Sequence, residues 1–303
     1  MPFFSVIIPT YNRADLLRES LASLFAQHFT DFEALVVDDG STDETPALLS
    51  SLVNRIRSFR QQNQGPGAAR NLGLQQAQGA YVAFLDSDDQ WFPWTLELFR
   101  RAIDDEGSPF FLAGLGASPD EAWENGAGTL DKMTTHRYPN MLAACSGRTP
   151  PVGGTPSICV KREALLQMGG FGPGRINGED TDLWLRLGAC PGFVRILAPP
   201  VFRQRFHAGS ITRQIEPAVA GAWHLREQER NHVYPGGRRY SRGRRRIICG
   251  TIRSVSRECL SRGLVDEGFR LYWATWGWNL ALGNLKYLFG FPLAALRHRG
   301  RRV

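Results

Sequence analysis

Three short apolar runs constrain this chain most: Phe4–Pro9 (FSVIIP), Ala34–Val37 (ALVV) and Tyr81–Leu85 (YVAFL), each giving way at its C-terminal end to polar or acidic residues. Continuous apolar runs of this length suit strands covered on both faces. Between them the period changes. Leu17, Leu21, Leu24 and Phe25 fall at helical spacing, with Asp15 near the start, and so do Leu48, Leu49, Leu52, Val53 and Ile56. The order βαβα predicts a parallel sheet, and in open α/β sheets ligands bind beyond the carboxyl ends of the strands. A weak strand at Ser58–Gln61, a helix opened by Gly65–Pro66–Gly67 and a helix over Trp94–Ile103 extend the pattern.

The third run leads straight into Asp86, Asp88 and Asp89, with Trp91 behind them. Three carboxylates within four residues repel one another unless a cation lies among them. A hard divalent ion with oxygen ligands, accompanied by a phosphate-bearing substrate, is one occupant that fits. A solvated turn is the other reading, since Asp and Ser are ordinary turn residues.

At 303 residues and 43% hydrophobic, the chain is long enough for one large or two smaller domains. The start, MPFFSVIIPTYNR, lacks the basic region, long apolar run and small-residue cleavage site of a signal peptide, so none is expected. Five scattered cysteines without CxxC spacing read as reduced structural thiols of a cytoplasmic protein, with neither a disulfide framework nor a zinc site. Charge is uneven. Residues 236–303 hold 15 Lys and Arg against 3 acids, a net +12, while residues 1–235 hold 21 against 26, a net −5. Such a basic tail suits an anionic partner, a membrane surface or nucleic acid.

Further along, Ser118–Pro151 is rich in Gly, Pro and polar residues and shows weak periodicity. Thr155–Val160 reads as a strand and Arg162–Met168 as a helix, turned by Gly169–Gly170–Phe171. Glu179 and Asp180 then open a helix whose Leu183, Trp184 and Leu187 face inward. Acids at a helix start are often simple caps, but Glu179, Asp180 and Asp182 together exceed what a cap requires.

With these segments in order (SVIIPTYNR, VVDDGSTD, NQGPGAARNLGL, AFLDSDDQW, GGF, GEDTDLWLRLG and FRQRFHAGS), residues 4–210 resemble a family 2 glycosyltransferase. The resemblance implies an α/β GT-A fold, a Rossmann-like, mostly parallel central sheet flanked by helices. It implies a nucleotide-sugar-dependent, metal-using, inverting enzyme. Pro9, Tyr11 and Arg13 match the loop that cradles the nucleotide, Tyr11 at the base or packed on the rim and Arg13 at a phosphate. Asp39 matches the carboxylate that accepts the N3–H of uracil, although its neighbour Asp38 suits either that role or a turn cap. Arg70 matches an arginine on the nucleotide side of the cleft. Asp86 and Asp88 match the DxD element, Asp88 as the direct ligand of Mn²⁺ or Mg²⁺ and Asp86 facing the ribose or the ion through water. Asp180 matches the catalytic base. Two further candidates are Glu179 and, with Ser210 in the last segment, His207 near the diphosphate or metal.

The implied reaction is a single in-line displacement in cell-surface polysaccharide or glycolipid synthesis, from a UDP-sugar by the match at Asp39, to a glycan or lipid-linked acceptor. Polymer-extending members carry a QxxRW element, and no Arg-Trp pair occurs in these 303 residues, so transfer of one sugar is expected. The expected organisation is a GT-A domain over 1–215, with a nucleotide half at about 1–115 and an acceptor half at about 116–215, then a helical, basic and aromatic extension over 216–303. In that extension Leu271–Pro292 is rich in Trp, Tyr, Phe and Leu but broken by Asn279, Asn284, Lys286 and glycines, which argues against a spanning helix. A peripheral segment on the cytoplasmic face of an anionic membrane, a core helix and a contact in an oligomer all suit it. Nucleic acid does not, because the basic run lies outside any recognisable binding module. Among other classes, a sugar-nucleotide pyrophosphorylase would need a Gly-rich phosphate loop at Thr10–Arg13 and a dinucleotide oxidoreductase a GxGxxG there; neither is present. The alternative is a non-catalytic, nucleotide-binding, membrane-associated protein that keeps the fold.

Overall fold

The computed structural model describes residues 1–117, 130–145, 152–172, 174–205 and 214–299. In chain order it holds β1 (Phe4–Thr10), α1 (Ala14–Phe25), β2 (Phe32–Asp38), α2 (Thr45–Ser51), β3 (Arg57–Arg60), α3 (Pro66–Gln76), β4 (Tyr81–Phe84), β5 (Gln90–Trp91), α4 (Thr95–Asp105) and β6 (Phe111–Ala113). These are followed by β7 (Thr134–Tyr138), α5 (Met141–Ala144), β8 (Ile158–Lys161), α6 (Arg162–Gln167), α7 (Glu179–Leu187), β9 (Phe193–Ala198) and β10 (Phe202–Arg203). Four helices close the chain: α8 (Ile215–Arg230), α9 (Gly237–Ser261), α10 (Val265–Ala281) and α11 (Leu285–Arg299).

One eight-stranded sheet runs β3-β2-β1-β4-β8-β6-β9-β7. The β3-β2-β1-β4 half is parallel, as the βαβα order predicts. Beyond β4 the pairing turns antiparallel to β8 and β6, and β6 lies parallel to β9. β1 is buried along its whole length, with helices on both faces, which explains its unbroken apolar run. Leu17, Leu21 and Leu24 of α1 pack into one apolar cluster with Phe4, Val6 and Ile8. The opposite cluster is continuous from Ile7 and Phe84 through Leu183 of α7 to Leu225, Ile248 and Leu271 of the C-terminal helices.

Local expectations differ in four places. α2 ends at Ser51, and Val53 is left exposed because the chain turns there before β3. Thr155–Ser157 is a 3₁₀ turn and the strand begins only at Ile158; Pro156 has no N–H to give a ladder. Within the irregular 118–151 stretch the described residues include β7, an exposed edge strand, and α5. The tail segment Leu271–Pro292 is two helices, broken at Leu282–Asn284. The described residues contain no helix long and apolar enough to cross a membrane.

Candidate functional site

The carboxyl ends of β1, β2 and β4 open onto a cavity of about 860 Å³. Pro9, Tyr11 and Arg13 reach its wall after β1, and Asp39 after β2; Tyr11 is 42% exposed, as a rim aromatic is. Arg70 comes from α3, Asp86 and Asp88 from the turn after β4, and Glu179 and Asp180 from the start of α7. Nine of the ten sequence candidates thus line one cleft. His207 lies outside the described residues, as does Ser210.

The two neighbouring acids after β2 divide their work. Asp38 accepts a hydrogen bond from the Ser41 N–H at 2.8 Å and pairs with Arg60 at 3.4 Å, so it closes the turn. Asp39 holds the wall of the cleft: its carboxylate accepts from Gln61 Nε2 (2.7 Å), Gln64 N (2.9 Å) and Gly65 N (2.8 Å). A carboxylate has room for about four acceptor contacts, so one lone pair remains for a ligand N–H. Gly65, at φ +93°, takes a backbone conformation open to glycine and starts α3.

Cations and acids interleave across the cleft. Arg70, buried, donates to Asp86 Oδ1 at 2.7 Å and to Glu179 Oε1 at 2.8 Å. Burial alone would lower its pKa, but the charges of Asp86 and Glu179 outweigh that and keep it a cation. Arg13 Nη1 meets Asp88 Oδ2 at 2.7 Å. Burial raises the pKa of Asp86 against the pull of Arg70, and the charges of Asp88 and Asp180 push the same way. Burial, then Asp86 and Asp88, push Asp89 up to about 8. Glu179 is likewise raised by burial, against Arg70, with Asp180 adding to it. Asp180 is half-buried, and its Oδ1 accepts from the Thr181 N–H at 2.6 Å.

This crowding of acids is the environment a divalent cation would relieve. Among the described residues no three His, Cys, Asp or Glu side chains form a metal cage. Mg²⁺ and similar ions in phosphate-transfer sites are commonly held by one or two carboxylates plus substrate phosphates, and Asp88 with Asp86 fits that arrangement.

Two supports were not legible as such. Arg205, after β10, donates its Nε to the Asp88 carbonyl at 2.6 Å, its backbone N–H to Asp89 Oδ1 at 3.1 Å and its Nη2 to the Leu16 carbonyl at 2.8 Å, which ties the acidic turn to α1. The arginine stands in FRQRFHAGS, but nothing local marks its partners. Asp182, grouped with Glu179 and Asp180 by sequence, points away from the cleft. Its carboxylate accepts from Arg186 Nε (2.8 Å) and Tyr234 Oη (2.9 Å) and meets His224 Nε2 at 3.1 Å, locking α7 to the C-terminal helices. Burial would raise its pKa, but hydrogen bonds from His224 and Tyr234 and the Arg186 cation hold it below the usual range.

A mostly parallel sheet with a cleft at its strand ends, continued into a second half of mixed pairing, defines a GT-A protein. The model of Glycosyl transferase family 2 matches residues 5–166, and the chain belongs to that family. An uncharacterized glycosyltransferase of Rickettsia bellii is 32% identical over 187 residues, 61% of this chain but 26% of that protein. The GalNAc(5)-diNAcBac-PP-undecaprenol beta-1,3-glucosyltransferase of Campylobacter jejuni is 45% identical over 95 residues, covering 30% of this chain and 31% of that one. The matches therefore span about a quarter to a third of those relatives. The crystal structure of S. aureus TarS 1-349 in complex with UDP-GlcNAc superposes with a TM-score of 0.68 at 20% identity, over 98% of this chain and 89% of that one, a likeness of fold.

Proposed function

We propose that this protein is a non-processive, inverting glycosyltransferase that moves one sugar from a nucleotide-sugar, a UDP-sugar in this reading, to an acceptor hydroxyl. The observation that carries it is the convergence of Asp39, Asp86, Asp88 and Asp180 from three distant parts of the chain on one cleft. Pro9, Tyr11, Arg13, Asp39, Arg70 and Asp86 bind the nucleotide. Asp88, with Asp86, would hold Mn²⁺ or Mg²⁺, which when bound supplies neutralisation of the charge on the leaving diphosphate. Asp180 takes the proton of the acceptor hydroxyl, whose oxygen attacks the anomeric carbon from the face opposite the diphosphate; the sugar configuration inverts. Glu179 keeps Arg70 in place beside Asp86.

A glycan or lipid-linked acceptor in cell-surface synthesis is supported by the names of relatives, among them the undecaprenol-linked glucosyltransferase. The division into a nucleotide half (1–115), an acceptor half (116–215) and an extension (216–303) that meets an anionic membrane on its cytoplasmic face belongs to the same proposal.

The test is nucleotide release from UDP-, GDP- and dTDP-sugars with Mn²⁺ or Mg²⁺, for wild type, Asp88→Asn and Asp180→Asn. Turnover with one donor, abolished by chelation and reduced about a thousandfold in each variant, is expected. Equal turnover in all three proteins overturns the reading. Donor binding without turnover toward any acceptor would favour the non-catalytic alternative.

A further inference from the structure

A helix that only covers a globular core turns a polar face to water. α10 and α11 do not. On α10 the buried face is Leu271, Tyr272, Thr275 and Asn279, yet Trp273, Trp276 and Leu280 stand 63%, 39% and 48% exposed. Their spacing of three and four puts them on one stripe. On α11, Tyr287, Leu288, Phe291 and Ala295 pack inward with Leu260 and Tyr272. Its opposite side is again apolar: Leu285, Phe289, Leu293 and Leu296 are 51–71% exposed. Scattered exposed hydrophobics are ordinary on a protein surface, but a continuous row on each of two consecutive helices is not.

The two asparagines that interrupt this segment are turned away from those rows. Asn279 is fully buried, accepting from Arg253 Nη1 at 3.2 Å and from Asn284 Nδ2 at 3.0 Å, so it braces the turn between the helices. Lys286 instead stays exposed, three residues before Phe289 and seven before Leu293 on the same side of α11. From residue 268 to the end, the chain has six Lys and Arg and no Asp or Glu. Two copies meeting through this face would set the exposed Lys286 of each against the other's apolar rows, whereas an anionic headgroup would pair with it.

We infer that the outer face of the α10–α11 hairpin lies in the headgroup layer of a bilayer rich in anionic lipid. This rests on the reading of residues 216–303 as the membrane-facing part, and it names the surface and the lipid chemistry. Trp at the interface, leucines and Phe289 below it and Lys286 reaching back to phosphate are the elements of an in-plane helix. Neither helix is long and apolar enough to cross.

The experiment is co-sedimentation of the full chain with vesicles of phosphatidylcholine alone or mixed with phosphatidylglycerol, at low and high salt. Mn²⁺-dependent UDP binding is titrated on the same samples. Wild type is expected to bind the anionic vesicles, less at high salt, and phosphatidylcholine weakly. Trp273→Ser/Phe289→Ser/Leu293→Ser should lower partitioning about a hundredfold and Lys286→Glu several-fold, with melting temperature and UDP binding unchanged, since all four residues are exposed. Equal binding to both lipids, no binding by wild type, or a triple variant that binds as wild type overturns the inference. So does a wild-type dimer lost in the triple variant, which assigns the face to a second copy. Vesicle binding without UDP binding leaves the inference standing and counts against the enzyme reading alone.

Discussion

Arg70 and Glu179 lie 109 residues apart in sequence and meet in a buried 2.8 Å ion pair, while the other arm of the same guanidinium holds Asp86. The acidic turn after β4 and the start of α7 are thereby fixed at one spacing. Removing the arginine leaves the buried Glu179 and the partly buried Asp86 without their cation, a loss of about 3–5 kcal/mol. Arg70→Met is therefore expected to lower the free energy of unfolding by that amount and turnover by about a hundredfold. Adding Glu179→Gln should cost less than the sum of the single changes, with a coupling of about 1–3 kcal/mol. Denaturant unfolding of the four proteins checks it; strict additivity would show that the pair is not coupled.

Asp39 has one acceptor position beyond the three that hold Gln61, Gln64 and Gly65. If that position takes a base N–H, Asp39→Asn should weaken UDP binding by about tenfold to a hundredfold, the worth of a hydrogen bond to a charged group. Binding of pyrophosphate with Mn²⁺ should change much less. Calorimetry on both ligands separates the two, and equal losses would assign Asp39 to the loop alone.

The Asp182 node makes a pH prediction. Its carboxylate is held below the usual pKa in the folded protein, so its contribution to stability is complete above the unfolded value of about 3.9 and lost as pH falls through the folded value. Asp182→Asn is expected to cost about 2 kcal/mol near neutrality. The gap from wild type should then begin to narrow as pH falls through about 4 and go on narrowing through the lower folded value. A gap that stays constant down to the acid unfolding of the protein would exclude an ionised Asp182 as its origin.

Gly221 of α8 sits against the turn that precedes α7. A Cβ there would stand 1.7 Å from the Asn177 carbonyl oxygen, so the backbone itself must move. Gly221→Ala is expected to destabilise by about 2–3 kcal/mol, as overpacking does. Displacement of the Asn177–Gly178 turn should lower kcat more than it changes donor affinity, because Asp180 follows that turn and Asp39 does not. A donor affinity that falls as far as kcat would place the damage elsewhere.

The parallel half of the sheet was readable because β1, β2 and β4 are buried on both faces and show it as unbroken apolar runs. β7 was not, since THRY on an exposed edge carries no such run. The split between Asp38 as turn cap and Asp39 as cleft wall could not be read either, because both residue types suit both positions and only the partners differ.

Periodicity and glycine positions, which are short-range properties of the chain, determined the α/β class, and the resemblance carried by the ordered motifs singled out nine residues that line the cleft. Only the tertiary structure decided that Asp182 turns back to His224 and Tyr234, that Arg205 carries the acidic turn, and that Asn279 faces inward while Trp273 and Phe289 face out. Those choices are made between segments tens to hundreds of residues apart. They depend on which buried polar group finds a partner and which helix face meets the core, and neither is encoded in local spacing.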